Sequence, residues 1–315
     1  MIDHRLQVLR MVASRGTVTA AAEALGYTPS AVSHQLRSLA RELGVPLLAR
    51  EGRGVRLTPA ARLLLARSEE LFARWEEVRA ELAATGDRAV GSLRLCGFST
   101  AAAALLPPVA ARVAALHPGA TVRIIEADPA ECFDLLLADD ADLAVVVATA
   151  SLPPSDDPRF EQEPLLDDPL DLLLPADHPL AGEQSVLLEQ VAGDHWIMDR
   201  PGTAYHQLVV TACAAAGFTP SIAHQATEWD TGAALVSAGL GIALIPRLAR
   251  LPADYSLARV PLRGDPTPAR HLLTGVRRGS RAQPAIATAL AALEDVALTR
   301  RAELPGGAGS TPPDQ

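Results

Sequence analysis

Residues 28–43, TPSAVSHQLRSLAREL, decide how the N-terminal part of this chain is read. Thr28 is a good N-cap and Pro29 suits the first helical position, where no backbone N–H is needed, so a helix is expected to begin here. Gly44 is the expected stop. Val32, Leu36, Leu39 and Leu43 recur at spacings of four, three and four, the buried stripe of an amphipathic helix. The opposite face carries Ser30, Ser33, His34, Arg37 and Arg41, short hydrogen-bonding groups near the N-terminal end followed by cations. That order suits a helix placing small polar groups on base edges and charge on phosphates. Alone, the same face also fits an ordinary solvated surface helix, so the flanking sequence has to decide.

Upstream, Leu6, Leu9, Val12 and Ala13 repeat at helical spacing and predict a helix over residues 3–15, ended by Gly16. Thr17 or Thr19 can cap a second helix running to Leu25, with small Ala21 and Ala22 permitting close packing, and Gly26-Tyr27 makes a short turn into the helix above. Two helices joined by a tight turn containing Gly have the sequence form of a helix-turn-helix. Downstream, residues 47–50 and 55–57 flank Glu51-Gly52-Arg53-Gly54 and predict a small β-hairpin with a Gly-rich tip. Arg50, Arg53 and Arg56 lie on this wing, where a guanidinium can meet a phosphate or enter a minor groove.

Thr58-Pro59 repeats the cap-plus-proline signal and opens a long helix to about residue 84, stopped by Gly86-Asp87. Leu64, Leu71 and Val78 fall seven apart along it, with Trp75 and Leu82 at the complementary positions, a heptad seam interrupted by Ser68. The seam could pack on the helix's own domain, but a helix joining two domains has little else to bury it against, so the expectation is a dimer. From residue 90 short apolar runs alternate with helical segments, which predicts a mostly parallel α/β sheet. Strands are expected at 93–96, 121–126, 143–147, 170–174, 195–198, 221–226 and 242–245, and helices at 99–116, 130–138, 203–216, 229–238 and 283–298. Residues 153–164, rich in Pro, read as a crossover between two lobes, with a return near 266–268. The fold class is therefore multidomain α/β, with expected divisions at 1–58 (DNA-binding), 59–88 (linker), 89–302 (lobe I about 89–162 plus 267–302, lobe II about 163–266) and a disordered tail, 303–315.

Composition agrees with this division. The chain has 315 residues, 49% hydrophobic and 21% charged, enough for more than one core. Its net charge of −9 is unevenly placed: residues 1–65 hold nine Arg against Asp3, Glu23, Glu42 and Glu51, a net of +5, and the remainder carries −14. A basic unit on an acidic body is the asymmetry expected when one domain meets phosphate. All 28 cations are Arg, which together with the abundant Ala fits a GC-rich genome more than any mechanism. No signal peptide or membrane span is legible, so a cytoplasmic protein is expected. Cys96, Cys132 and Cys213 are far apart in sequence and lack metal-ligand spacing, so buried thiols are the plain expectation.

The combination of TPSAVSHQLRSLARELGVPLLAR, the preceding TVTAAAEALG, the wing ending in RLTPA and the late SAGLGIALIP resembles the LysR-type transcriptional regulators of bacteria. The similarity runs in register to about residue 300 and is most specific over 3–65. It departs at Leu47-Leu48, where the family often has Leu-Phe, and at Pro29, where many members carry Gln. The second change removes a side chain able to reach a base and shifts readout onto Ser30, Ser33 and His34. The resemblance implies a winged helix-turn-helix, a dimerising linker helix and a two-lobed, periplasmic-binding-protein-like effector domain. It also implies a cleft between the lobes, tetramers, DNA bending modulated by a small metabolite, and RNA polymerase as a further partner if the protein activates. The partners expected are thus double-stranded DNA, an effector of unidentified chemistry and further copies of the chain.

In open α/β sheets ligands sit at the carboxyl ends of strands, where helix N-termini offer free N–H groups. Four places meet that condition: Ser99-Thr100, Thr149, the stretch Asp199–Thr203, and Thr227 with the residues after it. The effector candidates are Ser99, Thr100, Thr149, Asp199, Thr203 and Thr227; effector pockets in the family at similar positions favour Ser99, Thr100 and Thr203. Each hydroxyl also fits simple N-capping. Asp199 would repel an anionic effector and Arg200 would clamp one, so the effector's charge stays open. Glu126 and His206 are weaker candidates. Gly239 and Gly241 suit a tight turn and lack the context of a dinucleotide fingerprint. The DNA-binding candidates are Thr28, Ser30, Ser33, His34, Arg37 and Arg53. A thiol-based redox regulator is the alternative function. An enzyme is not expected, because no nucleophile–base pair, metal cluster or cofactor loop is legible, and no cofactor is expected.

Overall fold

The structure, a computed structural model, describes residues 2–51, 54–85 and 91–303. Arg53 with the hairpin tip, Gly86-Asp87 and the tail from residue 304 lie outside the described residues.

The chain divides into two compact units, residues 1–146, 150–165 and 273–315 in the first and 147–149 with 166–272 in the second. In the first unit α1 (His4–Arg15), α2 (Val18–Ala24) and α3 (Pro29–Leu43) precede a hairpin of β1 (Leu48–Glu51) and β2 (Gly54–Leu57). The local signals act as written. Asp3 caps α1, Thr17 caps α2 and Thr28 caps α3, each side-chain oxygen accepting a backbone N–H of the first turn. Gly44 adopts φ 69°, a left-handed stop that a residue with Cβ fills only under strain. Val32, Leu36 and Leu39 are buried against Val8, Leu9, Val12, Ala21 and Ala22. Leu43, expected in the same stripe, is 45% exposed, because the chain has already left the core at the helix end.

α4 (Pro59–Thr85) is 27 residues long, about 40 Å. Its inward face is not the heptad seam. Ala61, Ser68, Glu76 and Ala80 are buried, whereas Leu71 is 60%, Trp75 38% and Leu82 62% exposed. Glu76 tolerates burial because Arg277 (Nε to Oε1, 3.2 Å) and Gln283 (Nε2 to Oε2, 2.7 Å) both donate to it.

β3 (Ser92–Gly97) then pairs in parallel with β4 (Thr121–Glu126) on one side and β5 (Leu143–Val147) on the other. The helix expected over 99–116 is two helices, α5 (Ser99–Ala104) and α6 (Leu106–Leu116). Pro107 and Pro108 explain the break, since proline donates no N–H and is tolerated only in a first turn. α7 (Pro129–Leu137) follows β4, and α10 (Pro284–Glu303) ends the described chain.

β6 (Phe160–Pro175) and β11 (Ala269–Arg277) run through both units. Both correct the sequence reading: residues 160–164 are strand rather than crossover, and the return at 266–268 leads straight into a nine-residue strand. Pro164 and Pro169 hid the first. Arg270 and Arg277, both buried, hid the second by breaking its apolar pattern; Arg270 is held by Asp168 at 2.6 Å and Arg277 by Asp142 at 3.1 Å.

The second unit contains β7 (His195–Met198), α8 (Ala204–Ala215), β8 (Ser221–Gln225), α9 (Trp229–Ser237), β9 (Ala243–Pro246) and β10 (Leu257–Pro261). β7 and β8 are parallel, while β6 takes β9 and β10 antiparallel, so this unit is more mixed than the predicted sheet. Trp196 and Val186 are fully buried at its centre. Gly241 makes the tight turn expected of it: at φ 152° a Cβ would stand 2.6 Å from the His195 carbonyl oxygen.

Candidate nucleic-acid interface and effector site

α3 presents one continuous polar face. Thr28, Ser30, His34, Arg37 and Arg41 are exposed and Ser33 is half-buried. Thr28 Oγ1 accepts from the Ala31 amide at 3.2 Å and lies 3.0 Å from Ser30 Oγ, so the cap also orients the first candidate base reader. Arg37 Nε donates to the Ser33 carbonyl at 3.1 Å, which lays its guanidinium along the helix. Arg5 of α1 grips Asp3 and, at 2.6 Å, Glu42, tying the C-terminal half of α3 to α1. Hydrogen bonds donated to Asp3 and Glu42 hold the Arg5 guanidinium above its ordinary range, and the Arg5 bond outweighs desolvation to hold Asp3 below the usual carboxylate range.

The structure also singles out residues that the sequence did not. Tyr27, in the turn before α3, is exposed and its hydroxyl lies 3.1 Å from His4 Nε2. An aromatic hydroxyl beside the start of α3 was legible only as a turn residue. Arg62, on the first turns of α4, is exposed and donates to the Leu57 carbonyl at 2.9 Å, which sets it at the base of the wing. On the wing itself Arg50 is exposed, and Arg56 lies 3.9 Å from Glu51 with both side chains in solvent, a pairing of little energetic weight. Arg53 cannot be placed with them, since it lies outside the described residues.

The basic count needs correction. Arg5, Arg10 and Arg15 are bound to Asp3 and Glu42, to Glu69 and to Asp134 respectively, so their charge is answered inside the protein. Apart from Arg15, which is exposed but bound to Asp134, the exposed arginines among the described residues of 1–65 are Arg37, Arg41, Arg50, Arg56 and Arg62.

The effector candidates fall in both units. Ser99 and Thr100 open α5 in the first; Ser99 is exposed, Thr100 is buried, and Phe98 at the N-cap gives no side-chain cap. Thr149, half-buried, belongs to the second unit with Asp199, Thr203 and Thr227. Two of these, Asp199 and Thr227, meet. Asp199 Oδ1 accepts from the Arg200 amide at 2.6 Å and from Thr227 Oγ1 at 3.1 Å. Thr203 serves as the cap of α8, accepting from the His206 amide and donating to the Arg200 carbonyl, both at 3.1 Å. His206 Nδ1 bonds the Asp199 carbonyl at 2.9 Å, a structural role, and Glu126 ends β4 in solvent.

Beside this cluster the second unit holds a small cavity of about 30 Å³ that Asp199 helps to line. Its walls are Leu173, Ile197, Val209, Ala233 and Ile245, and the Tyr205 and Trp229 rings, nearly perpendicular at 82° with centroids 4.9 Å apart. The Tyr205 hydroxyl donates to the Leu244 carbonyl at 3.0 Å, and burial pushes it well above its ordinary range.

The three thiols are buried. Cys96 and Cys132 are neighbours in space although 36 residues apart, Cys96 Sγ lying 3.8 Å from the Cys132 carbonyl. A hydrogen bond with Cys132 and burial raise the Cys96 thiol far above its usual range, and burial pushes Cys213 up to about 12.

Two family models match. One, a bacterial regulatory helix-turn-helix protein of the lysR family, covers residues 4–62, and the other, the LysR substrate binding domain, covers 86–298. The chain is 28% identical over 244 residues to an uncharacterised HTH-type transcriptional regulator, YybE, of Bacillus subtilis, covering 78% of this chain and 82% of that one. It is 27% identical over 243 residues to a hydrogen peroxide-inducible genes activator of Pectobacterium carotovorum, covering 77% and 79%. Among solved structures, a full-length OxyR variant from Pseudomonas aeruginosa superposes with a TM-score of 0.63 over 94% of each chain at 22% identity, a likeness of fold.

Proposed function

Since the chain belongs to the LysR family of bacterial transcriptional regulators, with a helix-turn-helix and an effector-binding domain, we propose how its own residues divide the work. Ser30, Ser33 and His34 read base edges. Thr28, Arg37, Arg41, Arg53 and Arg62 hold the backbone. The observation that carries this is the α3 face itself: three short polar side chains in its N-terminal half, two guanidiniums beyond them, and no acid until Glu42. The protein acts by binding rather than by catalysis, and works in the cytoplasm beside its DNA.

We further propose the division at 1–58, 59–88 and 89–302, with α4 pairing two chains along Leu64, Leu71, Trp75, Val78 and Leu82 and two such pairs forming a tetramer. Support comes from the exposure of Leu71 and Leu82, which their own unit leaves uncovered. Ser99, Thr100, Thr149, Asp199, Thr203 and Thr227 are the effector residues, Thr203 through its position rather than a spare hydrogen bond. RNA polymerase is the further partner where the protein activates. Buried, raised thiols weigh against the redox alternative.

A mobility-shift series on the promoter beside the protein's own gene tests the reading. Binding should be specific and fall steeply with salt. Ser33→Ala and His34→Ala should change sequence preference, while Arg53→Ala weakens binding to every sequence. Equal effects of all three, or no specific binding there or at neighbouring promoters, would overturn it.

A further inference from the structure

We propose that Tyr27 is a further contact of this chain with the DNA backbone, a phenol that donates to phosphate, and that His4 positions it by deciding where the phenol hydrogen points. The inference rests on the reading of α3 as the DNA-reading helix. It adds a residue outside that helix and a dependence of binding on pH.

Tyr27 stands immediately before Thr28, the cap of α3, so its exposed hydroxyl belongs to the same end of the helix as Ser30. Tyrosine is among the side chains that reach phosphate, fixing register without reading sequence. What the hydroxyl offers depends on its neighbour. It lies 3.1 Å from His4 Nε2, and the two rings meet edge to face, 80° apart with centroids at 6.1 Å. The other nitrogen of the imidazole is set from the end of α7. Gln7 Nε2 donates to the Leu137 carbonyl at 3.4 Å, which turns Gln7 Oε1 toward His4 Nδ1, 3.1 Å away. That oxygen can only accept, so Nδ1 carries the hydrogen of the neutral ring and Nε2 is left with its lone pair. The Tyr27 O–H then donates to His4. Toward solvent the phenol shows only oxygen lone pairs, which phosphate repels.

Protonation reverses the arrangement. Nε2 takes one proton from solution and becomes a donor to the Tyr27 oxygen, and the phenol hydrogen turns outward, where a phosphate oxygen accepts it. That outward bond is polarised by the imidazolium behind it and ends on an anion, so it is of the stronger, charge-assisted kind. Other charges near α1 are engaged elsewhere. Glu42 of α3, Glu69 of α4 and Asp134 of α7 pair with Arg5, Arg10 and Arg15, and Glu23 of α2 lies beside Arg15. Asp3, held by Arg5, is the carboxylate that attracts His4.

The test measures binding of the full-length protein to an operator duplex and to a random duplex by fluorescence anisotropy, at constant ionic strength. It is run at about pH 8 and about pH 6, on either side of the range in which imidazole titrates. Tyr27→Phe keeps the ring against His4 and loses only the hydroxyl. His34 on α3 titrates in every variant, so the quantity read is the affinity lost on Tyr27→Phe at each pH. The loss should stay within about twofold at the higher pH and reach at least about fivefold at the lower, on both duplexes. In a His4→Leu background the hydroxyl is no longer directed, and Tyr27→Phe should cost the same factor at both pH values. Both positions are exposed, so the fold should survive, which circular dichroism checks at each pH. A loss that fails to grow at the lower pH, or one that still grows without His4, overturns the inference. Specific operator binding by the unmodified protein with either of those results removes this inference alone, whereas absence of specific binding by the unmodified protein removes the wider reading.

Discussion

Arg10 of α1 and Glu69 of α4 form a two-pronged pair, Nε to Oε1 at 2.9 Å and Nη2 to Oε2 at 2.6 Å, with only 4% and 11% of their side chains exposed. The Arg10 guanidinium also lies 4.0 Å from the Phe72 ring centroid. A helix of the reading head is thereby fastened to the long helix by a desolvated charge pair. Burial, and the charges of Arg159 and Arg277, pull Arg10 below its ordinary range against the attraction of Glu69. Removing one partner strands a buried charge, so Glu69→Leu alone or Arg10→Met alone should destabilise the protein by about 3–5 kcal/mol. The double variant Arg10→Met, Glu69→Leu should lose much less. Urea unfolding of the four proteins in a double-mutant cycle measures the difference; equal losses in single and double variants would show that the pairing is immaterial.

Leu71→Glu with Leu82→Glu should leave the fold nearly intact, within roughly 0.5 kcal/mol per site, because both positions are exposed in the single chain. It should nonetheless dissociate the oligomer, which sedimentation velocity reads directly. An unchanged sedimentation coefficient would remove α4 as the pairing surface.

Arg62→Ala should weaken DNA binding on specific and random sequence alike and lower the slope of log K against log salt by about one. Competition shifts at four salt concentrations check this. A loss confined to the specific site would make Arg62 a base reader.

Asp142 supplies a pH dependence. Burial works to raise its carboxyl, but hydrogen bonds from Arg94 and the charge of Arg277 outweigh it, leaving the group below its ordinary value. A depressed folded pKa contributes stability that is complete above the unfolded value, about 3.9, and is lost as pH falls through the folded one. Stability should therefore decline as pH is lowered below about 4, and Asp142→Asn should flatten that decline while lowering stability at pH 7. Urea midpoints taken between pH 7 and 3 supply the comparison.

The thiols should resist a disulfide reagent at pH 8 in the native protein and react on unfolding, since burial raises Cys96 and Cys213. Hydrogen peroxide should leave operator binding unchanged. Rapid native labelling together with a peroxide-dependent shift would restore the redox alternative.

How far the candidate sites could be read in advance depended on the range of the interactions involved. The α3 face was legible in full, since its cap, its stop and its polar order are written within seventeen consecutive residues, Thr28 to Gly44. Tyr27 and Arg62 were not, because their places depend on His4 and on the Leu57 carbonyl. The hydroxyl of Thr203 was rightly suspected of capping, but the meeting of Asp199 with Thr227, 28 residues apart, required two parallel strands to be brought together first.

The sequence by itself determined the elements whose causes are local: caps at Thr17 and Thr28, the stop at Gly44, the three-four spacing of Val32, Leu36 and Leu39, and the Pro59 start of the long helix. Tertiary structure alone decided what long-range pairing makes possible. Arg270 and Arg277 could hide in β11 only because Asp168 and Asp142 wait beside them, and a buried ion costs too much to be inferred without its partner. The same reasoning applies to α4. Its apolar seam was plain in the sequence, but that the helix turns Glu76 inward and leaves Leu71 and Leu82 in solvent was decided by Arg277 and Gln283, 201 and 207 residues away.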